Sequence, residues 1–192
     1  MLKEKLSKYS IILASGSPRR QQFFKDLDIP FKIELREIEE IYPNNLTASK
    51  ITDYLAELKA SVFTNLKDEE ILITSDTIVW LNNEAIGKPK DYNDAFLMLK
   101  KLSGSVHKVY TSVSIKTSIR QEVFNDCTKV FFNDLLEEEI HYYLKKYQPF
   151  DKAGSYGIQD WIGLIGINKI EGSYFNVMGL PVHKLYKELM KL

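Results

Sequence analysis

Four charged side chains occupy positions where a fold would ordinarily place apolar or neutral residues. Asp76 interrupts a long apolar run, Lys88 precedes a proline, and Glu39 and Lys59 fall near the ends of predicted elements. An isolated carboxylate in a buried strand is costly unless a cation or hydrogen bonds compensate it, so Asp76 is the most informative. Each residue also has a purely structural explanation: a local hydrogen bond could satisfy Asp76, Glu39 could lie in a solvated loop, and Lys88 could be part of an ordinary turn.

A second polar group follows the first apolar segment of the chain. Residues 11–20 read Ile-Ile-Leu-Ala-Ser-Gly-Ser-Pro-Arg-Arg, which is typical of a strand that ends in a small loop before a helix. Ser17 suits an N-cap and Pro18 the first helical position, so free N–H groups would face an anion. Arg19 and Arg20 are cations where the helix dipole disfavours them, which indicates an anionic ligand. A strand-helix turn with surface arginines is the structural alternative.

Together, the acids, arginines and lysines are the parts needed to hydrolyse a phosphoanhydride. Carboxylate oxygens bind Mg²⁺ or a similar hard cation, and basic side chains offset the charge of phosphates. A metal-polarised water can attack phosphorus while a carboxylate accepts its proton, without a covalent intermediate. The sequence has no G-x-x-x-x-G-K-[ST] segment and no evident Ser-His-Asp or Cys-His grouping, so P-loop and nucleophilic mechanisms are disfavoured.

Composition argues against several classes of partner. The 26 Lys and Arg residues balance 26 Asp and Glu residues, so no global basic field favours nucleic acid. No segment approaches the ~20 apolar residues of a membrane span, and residues 1–9 lack the apolar core of a signal peptide. His107, His141 and His183 do not have the spacing of a zinc motif. Cys127 has no second cysteine to pair with, which excludes an internal disulfide and favours a cytoplasmic protein. It lies in a strand-like stretch, where we expect a buried thiol.

The elements that must position these residues follow from the hydrophobic pattern. The pattern predicts strands over residues 11–14, 31–35, 71–81, 84–86, 106–115, 122–132 and 164–170. It predicts helices over residues 18–28, 48–62, 92–102 and 137–146, and a last helix from residue 182. Thr47 and Asp91 are the expected N-caps of the second and third helices. Helices alternating with strands at both ends, with a hairpin between them, indicate an α/β fold with a mixed, twisted sheet flanked by helices, in one domain of residues 1–192.

Six short motifs occupy nearly the whole chain in a fixed order. They are Ala14-Ser15-Gly16-Ser17-Pro18-Arg19-Arg20, Ser75-Asp76-Thr77, Gly87-Lys88-Pro89, Leu102-Ser103-Gly104, Asp151-Lys152-Ala153-Gly154-Ser155-Tyr156-Gly157-Ile158-Gln159 and Gly179-Leu180-Pro181. As a set they resemble the Maf family. The resemblance implies a nucleoside triphosphate pyrophosphatase that uses a divalent cation to cleave between the α and β phosphates, releasing a nucleoside monophosphate and pyrophosphate. It also implies two lobes with a central cleft, similar to inosine triphosphate pyrophosphatases.

Carried over to the matching positions, the resemblance implies roles for the candidate residues. Asp76 would be the proton acceptor, and Asp76 with Glu39 would hold the metal, Mg²⁺ or Mn²⁺. The other groups expected at the substrate are Arg20, Lys59 and Lys88 around the triphosphate, Ser15 and Ser17 in the phosphate loop, and Lys152 as a further substrate-binding residue.

Base selectivity has its own signature within the family. The branch that prefers dTTP and UTP is marked by an arginine, a threonine and a glutamine, which match Arg19, Thr77 and Gln159. A glutamine amide offers a donor and an acceptor, so it can match a pyrimidine edge. We expect dTTP and UTP first, modified pyrimidine triphosphates next and purine analogues third, although another branch favours 7-methyl-GTP. Asp160 and Trp161 stand where small residues are expected, and Trp161 either alters base selectivity or caps the pocket.

Two functions of other classes stay open on the sequence. The Maf name is tied to inhibition of septum formation, which allows a non-catalytic, nucleotide-sensing regulator of cell division. The retained acids and cations favour chemistry over sensing alone. A nucleotidyltransferase also opens with a strand and a basic phosphate loop, but its loop is richer in glycine than residues 15–17. Family members are often dimers, so the expected partners are a nucleoside triphosphate and a second copy of the chain.

Overall fold

The computed structural model describes residues 1–192 and contains a seven-stranded mixed sheet flanked by helices. The strands are β1 (Ser10–Leu13), β2 (Phe31–Ile33), β3 (Glu70–Leu81), β4 (Glu84–Ile86), β5 (Val106–Lys116), β6 (Gln121–Phe132) and β7 (Ile167–Glu171). The helices are α1 (Leu2–Lys5), α2 (Pro18–Asp26), α3 (Ser49–Ser61), α4 (Tyr92–Leu102), α5 (Glu137–Tyr147), α6 (Trp161–Gly166), α7 (Tyr174–Val177) and α8 (Val182–Leu189). A short 3₁₀ turn covers Ala153–Ser155.

The order of the strands is β2-β1-β3-β5-β6-β7, and β4 pairs with β3. β1 runs parallel to both β2 and β3, whereas β4 is antiparallel to β3 and β7 is antiparallel to β6. Because parallel neighbours require a crossover, α2 connects β1 to β2 as a βαβ unit. The predicted mixed sheet flanked by helices is therefore confirmed.

The chain divides into two compact units. The first unit consists of Met1–Asp76, Thr111–Asp126 and Gly179–Leu192, and the second of Thr77–Tyr110 and Cys127–Met178. Each unit has an apolar core of its own. Fully buried residues of the first core include Ala60 and Leu72, and those of the second include Leu99, Leu102, Ile140, Tyr143, Leu144 and Ile162. The single domain and the central cleft stay predictions.

Local side-chain chemistry explains several boundaries as predicted. Asn82 and Asn83 have φ values of 51° and 63° and turn β3 into β4, a left-handed conformation that asparagine tolerates. Asp91 caps α4, because its Oδ1 accepts the backbone N–H of Asp94 at 2.9 Å. The asparagine turn and the aspartate cap place the Gly87–Lys90 segment between β4 and α4.

Three expectations were wrong, each for a physical reason. α3 begins at Ser49 behind Ala48, which has a φ of 52°, so Thr47 is not its N-cap. The strand predicted over residues 164–170 begins only at Ile167, and residues 164–166 belong to α6, because a short apolar run suits either a helix or a strand. Cys127 is exposed, since side chains alternate between the faces of β6 and its neighbour Thr128 is the buried one.

Two short helices, α1 and α7, were not among the predicted elements. Each contains only four residues, too few to produce a periodic pattern. None of the helices is both long enough and apolar enough to cross a membrane.

Candidate active site

The loop between β1 and α2 is held in shape by its own hydrogen bonds. Ser17 is the N-cap of α2 and accepts the backbone N–H of Arg20 at 3.5 Å, while Pro18 is the first helical residue. Ser15 is buried, and its Oγ accepts the backbone N–H of Ser17 at 3.2 Å. The Gln21 amide donates to the Ser15 carbonyl at 3.2 Å. The cap and the proline predicted from the sequence are therefore confirmed.

Arg20 extends from α2 and is fastened to two backbone carbonyls. Its Nε donates to the Gly179 oxygen at 2.7 Å, and its Nη1 donates to the Ser75 oxygen at 2.9 Å. Removal from water lowers the pKa of the guanidinium to about 10, the Asp76 carboxylate opposes that shift, and the Arg19 cation adds to it. Arg20 therefore remains charged at neutral pH, with its position fixed by the backbone.

A second cation, Lys59, bridges two carboxylates. Asp76 on β3 is only 6% exposed, and its Oδ1 accepts a hydrogen bond from Lys59 Nζ at 2.6 Å. The same ammonium lies 3.0 Å from Oε2 of Glu40. The negative charge of Glu40, like that of Asp76, acts to raise the pKa of Arg20, so the guanidinium interacts electrostatically with both carboxylates. Two acids and two cations thus form a balanced charge cluster within the first unit.

The packing of α3 on β3 explains why Lys59 meets Asp76. The Thr74 hydroxyl, buried on β3, donates to the Ala56 carbonyl of α3 at 2.6 Å. Asp76 follows Thr74 by two residues and so shares its face of the strand, while Lys59 follows Ala56 by three and shares its face of the helix. The hydrogen bond between Thr74 and Ala56 therefore fixes the position of α3 along β3 at which Lys59 meets Asp76.

Glu39 is exposed in the irregular segment 34–48, and its neighbour Glu40 is the glutamate that pairs with Lys59. Glu40 was not among the residues predicted from the sequence to bind the metal or the substrate. Neither helical nor strand periodicity operates in such a segment, so no sequence signal could choose between adjacent glutamates.

The donor set suits a loosely held hard cation rather than a closed protein cage. No cluster of three or more His, Cys, Asp or Glu side chains surrounds a common point. Lys59 engages one of the two oxygens of Asp76, and Glu40 is the second carboxylate of the cluster. One or two carboxylates, with waters and substrate phosphates completing the shell, are the usual ligands of Mg²⁺.

In the second unit, the predicted lysines lie on two loops that share a hydrogen bond. Lys88 is exposed and follows β4, and the preceding Gly87 accepts the backbone N–H of Gly154 at 2.9 Å. Lys152 pairs with the preceding aspartate at 2.8 Å and is 13% exposed. Gly154 has a φ of 69°, and a Cβ there would lie 2.9 Å from Val79. Glycine is therefore required at the residue that links the two loops.

Gln159 is exposed, and its amide is engaged by the aspartate that follows it. Gln159 Nε2 donates to Asp160 Oδ1 at 3.0 Å, and Asp160 Oδ2 accepts the Tyr143 hydroxyl hydrogen at 2.7 Å. That hydroxyl also accepts the Gly157 N–H at 3.0 Å. Thr77, half-buried on β3, is the remaining predicted residue of this unit. Tyr143 escaped sequence reasoning because its place on the apolar face of α5 indicates only a core residue.

The chain is similar to the solved structure of a HAM1 protein from Coxiella burnetii, with a TM-score of 0.51 and 13% identity, covering 96% of this chain and 100% of that one. This likeness concerns the fold alone, and it agrees with the predicted fold class.

Sequence comparison extends to the family. A model of the Maf family, described as Maf-like protein, matches residues 10–192. The chain is 61% identical to a dTTP/UTP pyrophosphatase of Flavobacterium psychrophilum, covering 99% of this chain and 98% of that protein. It is 59% identical to a dTTP/UTP pyrophosphatase of Flavobacterium johnsoniae, covering 100% of both. The chain belongs to the Maf family, as its motifs predicted.

Proposed function

We propose that the protein is a nucleoside triphosphate pyrophosphatase that hydrolyses dTTP and UTP to the nucleoside monophosphate and pyrophosphate. The observation that carries the proposal is the charge cluster of Asp76, Lys59, Glu40 and Arg20. It occurs in a chain 61% identical, over nearly its full length, to a protein named for this activity. A cytoplasmic location and a homodimer stay predictions.

Asp76 is the proposed proton acceptor. Lys59 holds Oδ1, so the carboxylate is oriented and Oδ2 is left to take a proton. A water oxygen bonds to phosphorus, the anhydride bond between the α and β phosphates breaks, and the water proton passes to Asp76. Arg20, fixed by two carbonyls, supplies a positive charge that need not reorganise when charge develops on the phosphates.

We also propose that Asp76 and a neighbouring glutamate hold Mg²⁺ or Mn²⁺ together with phosphate oxygens. When bound, such an ion offsets phosphate charge and makes a coordinated water more acidic. Glu39 is the second ligand that the family resemblance implies. Glu40 shares Lys59 with Asp76 and is therefore the better supported second ligand.

The test is pyrophosphate release from dTTP, UTP, CTP, ATP, GTP and 7-methyl-GTP in the presence of Mg²⁺. We expect the highest kcat/KM for dTTP and UTP, and a loss of about 100- to 10,000-fold in Asp76→Asn. The matched control is Asp68→Asn, because Asp68 is an exposed acid that accepts a hydrogen bond from Ser118 in the same unit. No turnover of any triphosphate would refute the enzyme, and a purine preference would refute the specificity.

A further inference from the structure

Asp160 stands at an N-cap but does not cap its helix. It precedes α6, where an aspartate ordinarily accepts a backbone N–H of the first turn, yet its side chain makes no capping hydrogen bond. Both carboxylate oxygens are directed elsewhere, Oδ2 to Tyr143 and Oδ1 to Gln159. The Asp160 carboxylate therefore binds the Gln159 side chain instead of capping α6.

A carboxylate contact fixes which way the Gln159 amide faces. An ionised carboxylate only accepts hydrogen bonds, so Gln159 must turn Nε2 toward Asp160 Oδ1. A half-turn of the amide would bring Oε1 against Oδ1, two acceptors without a hydrogen between them. One orientation is thus selected, in which Oε1 and the second Nε2 hydrogen remain available to a ligand.

The buried Tyr143 hydroxyl holds Asp160 in place. Tyr143 has no exposed surface, and its hydroxyl donates to Asp160 while accepting from Gly157. Burial, and next the hydrogen bond with Asp160, raise the pKa of Tyr143 well above its usual range, so the hydroxyl stays a donor at neutral pH. Gly157 supplies the space, since a Cβ there would lie 2.5 Å from Asp160 Oδ2 and 2.6 Å from Gln159 Nε2.

We propose that Tyr143 and Asp160 are positioning residues that lock the Gln159 amide and so make it select uracil and thymine over cytosine. The inference rests on the proposed function and on the base-selective role that the family resemblance implies for Gln159. Uracil and thymine present an N3–H donor beside carbonyl acceptors, whereas cytosine presents an N3 acceptor beside an amino donor. An amide that turns freely can match either edge, but a locked amide leaves one of them unpaired.

The experiment compares kcat/KM for UTP and CTP in the wild type, Asp160→Asn and Tyr143→Phe. An asparagine carries both a donor and an acceptor, so it can satisfy either orientation of Gln159. We expect the UTP-to-CTP ratio to fall about tenfold in each variant, the scale set by losing one hydrogen bond to a charged group. The control is Tyr142→Phe, because that hydroxyl accepts only a surface hydrogen bond from Lys146.

The UTP-to-CTP ratio separates positioning from mere stability. A loss of folded protein lowers both rates equally and leaves the ratio unchanged, and Tyr143→Phe keeps its ring in the core should Asp160→Asn fail to fold. A ratio that stays at the wild-type value in Tyr143→Phe would overturn the inference, as would equal turnover of UTP and CTP by the wild type. No turnover of any triphosphate by the wild type would refute the proposed function instead.

Discussion

Mild acid should destabilise the second unit through one buried histidine. His107 on β5 is 1% exposed, and its Nε2 shares a hydrogen bond of 2.7 Å with the Tyr156 hydroxyl. Its Nδ1 has no hydrogen-bond partner. A protonated ring would therefore carry a charge and an unpaired N–H between the rings of Phe132 and Tyr156. Burial accordingly lowers the pKa of His107 from 6.5 to about 4.

The direction of the effect follows from which state binds the proton. Between pH 6.5 and about 4 the unfolded chain protonates this histidine and the folded chain does not, so the free energy of unfolding falls as the pH is lowered. Above pH 6.5 both states are neutral and the histidine has no effect. The difference between 6.5 and about 4, at about 1.4 kcal/mol per pH unit, amounts to about 3 kcal/mol.

Urea unfolding followed by tryptophan fluorescence measures the loss of unfolding free energy in the second unit, where His107 lies. The chain has two tryptophans, Trp80 and Trp161, and both lie in the second unit. His107→Gln is the comparison, because glutamine can reach Tyr156 but does not titrate. The stability of the wild type relative to this variant should fall by about 3 kcal/mol as the pH is lowered from 7 to 4. Parallel pH profiles of the two proteins would refute the reasoning.

Three further perturbations address packing and charge. Lys59→Met removes the ammonium that pairs directly with the buried carboxylate of Asp76, and urea unfolding should show a loss of about 2 to 4 kcal/mol. Gly163→Ala would drive a Cβ into the Ile158 carbonyl oxygen, and the same measurement should show a loss of about 2 kcal/mol or more. Glu40→Gln should weaken Mn²⁺ binding about tenfold in calorimetric titration, because one of two carboxylate ligands loses its charge.

Each of these variants has a matched control. Lys100→Met breaks an exposed pair with Glu137 and should cost less than about 1 kcal/mol. If Lys100→Met lost as much unfolding free energy as Lys59→Met, burial would not explain the larger effect expected at Lys59. Gly87→Ala places a Cβ in open space and should be nearly neutral, so a large loss there would contradict the steric argument. Glu39→Gln should leave Mn²⁺ affinity nearly unchanged, and a greater loss than in Glu40→Gln would favour Glu39 as the ligand.

Features that depend on neighbouring residues were predictable from the sequence. Ser17 and Pro18 predicted the start of α2 because capping and a fixed φ act within one turn. Asn82-Asn83 predicted the β3–β4 turn because these side chains tolerate positive φ. Arg20 was predicted from the sequence as a phosphate-binding residue. Its hydrogen bonds to the Ser75 and Gly179 carbonyls were not, because both residues are distant from it in sequence.

Features that depend on contacts distant in sequence were not predictable. The hydrogen bond between Thr74 and Ala56 sets the position of Lys59, but neither residue carries a motif. Tyr143 appears in the sequence as one more apolar position of an amphipathic helix, although its hydroxyl orders a loop 14 to 17 residues away. Glu40 could be distinguished from its neighbour only after the path of segment 34–48 was known.

The hydrogen bond between the Gly154 amide and the Gly87 carbonyl couples the motions of two loops. Gly154 is buried, and its backbone has no room for a side chain beside Val79, so the bond breaks only when the local packing opens. The segments that carry Lys88 and Lys152 should therefore open in a single cooperative event rather than fluctuate independently. The free energy of that opening sets the protection of the Gly154 amide against hydrogen exchange, which makes this proton a natural reporter of loop opening.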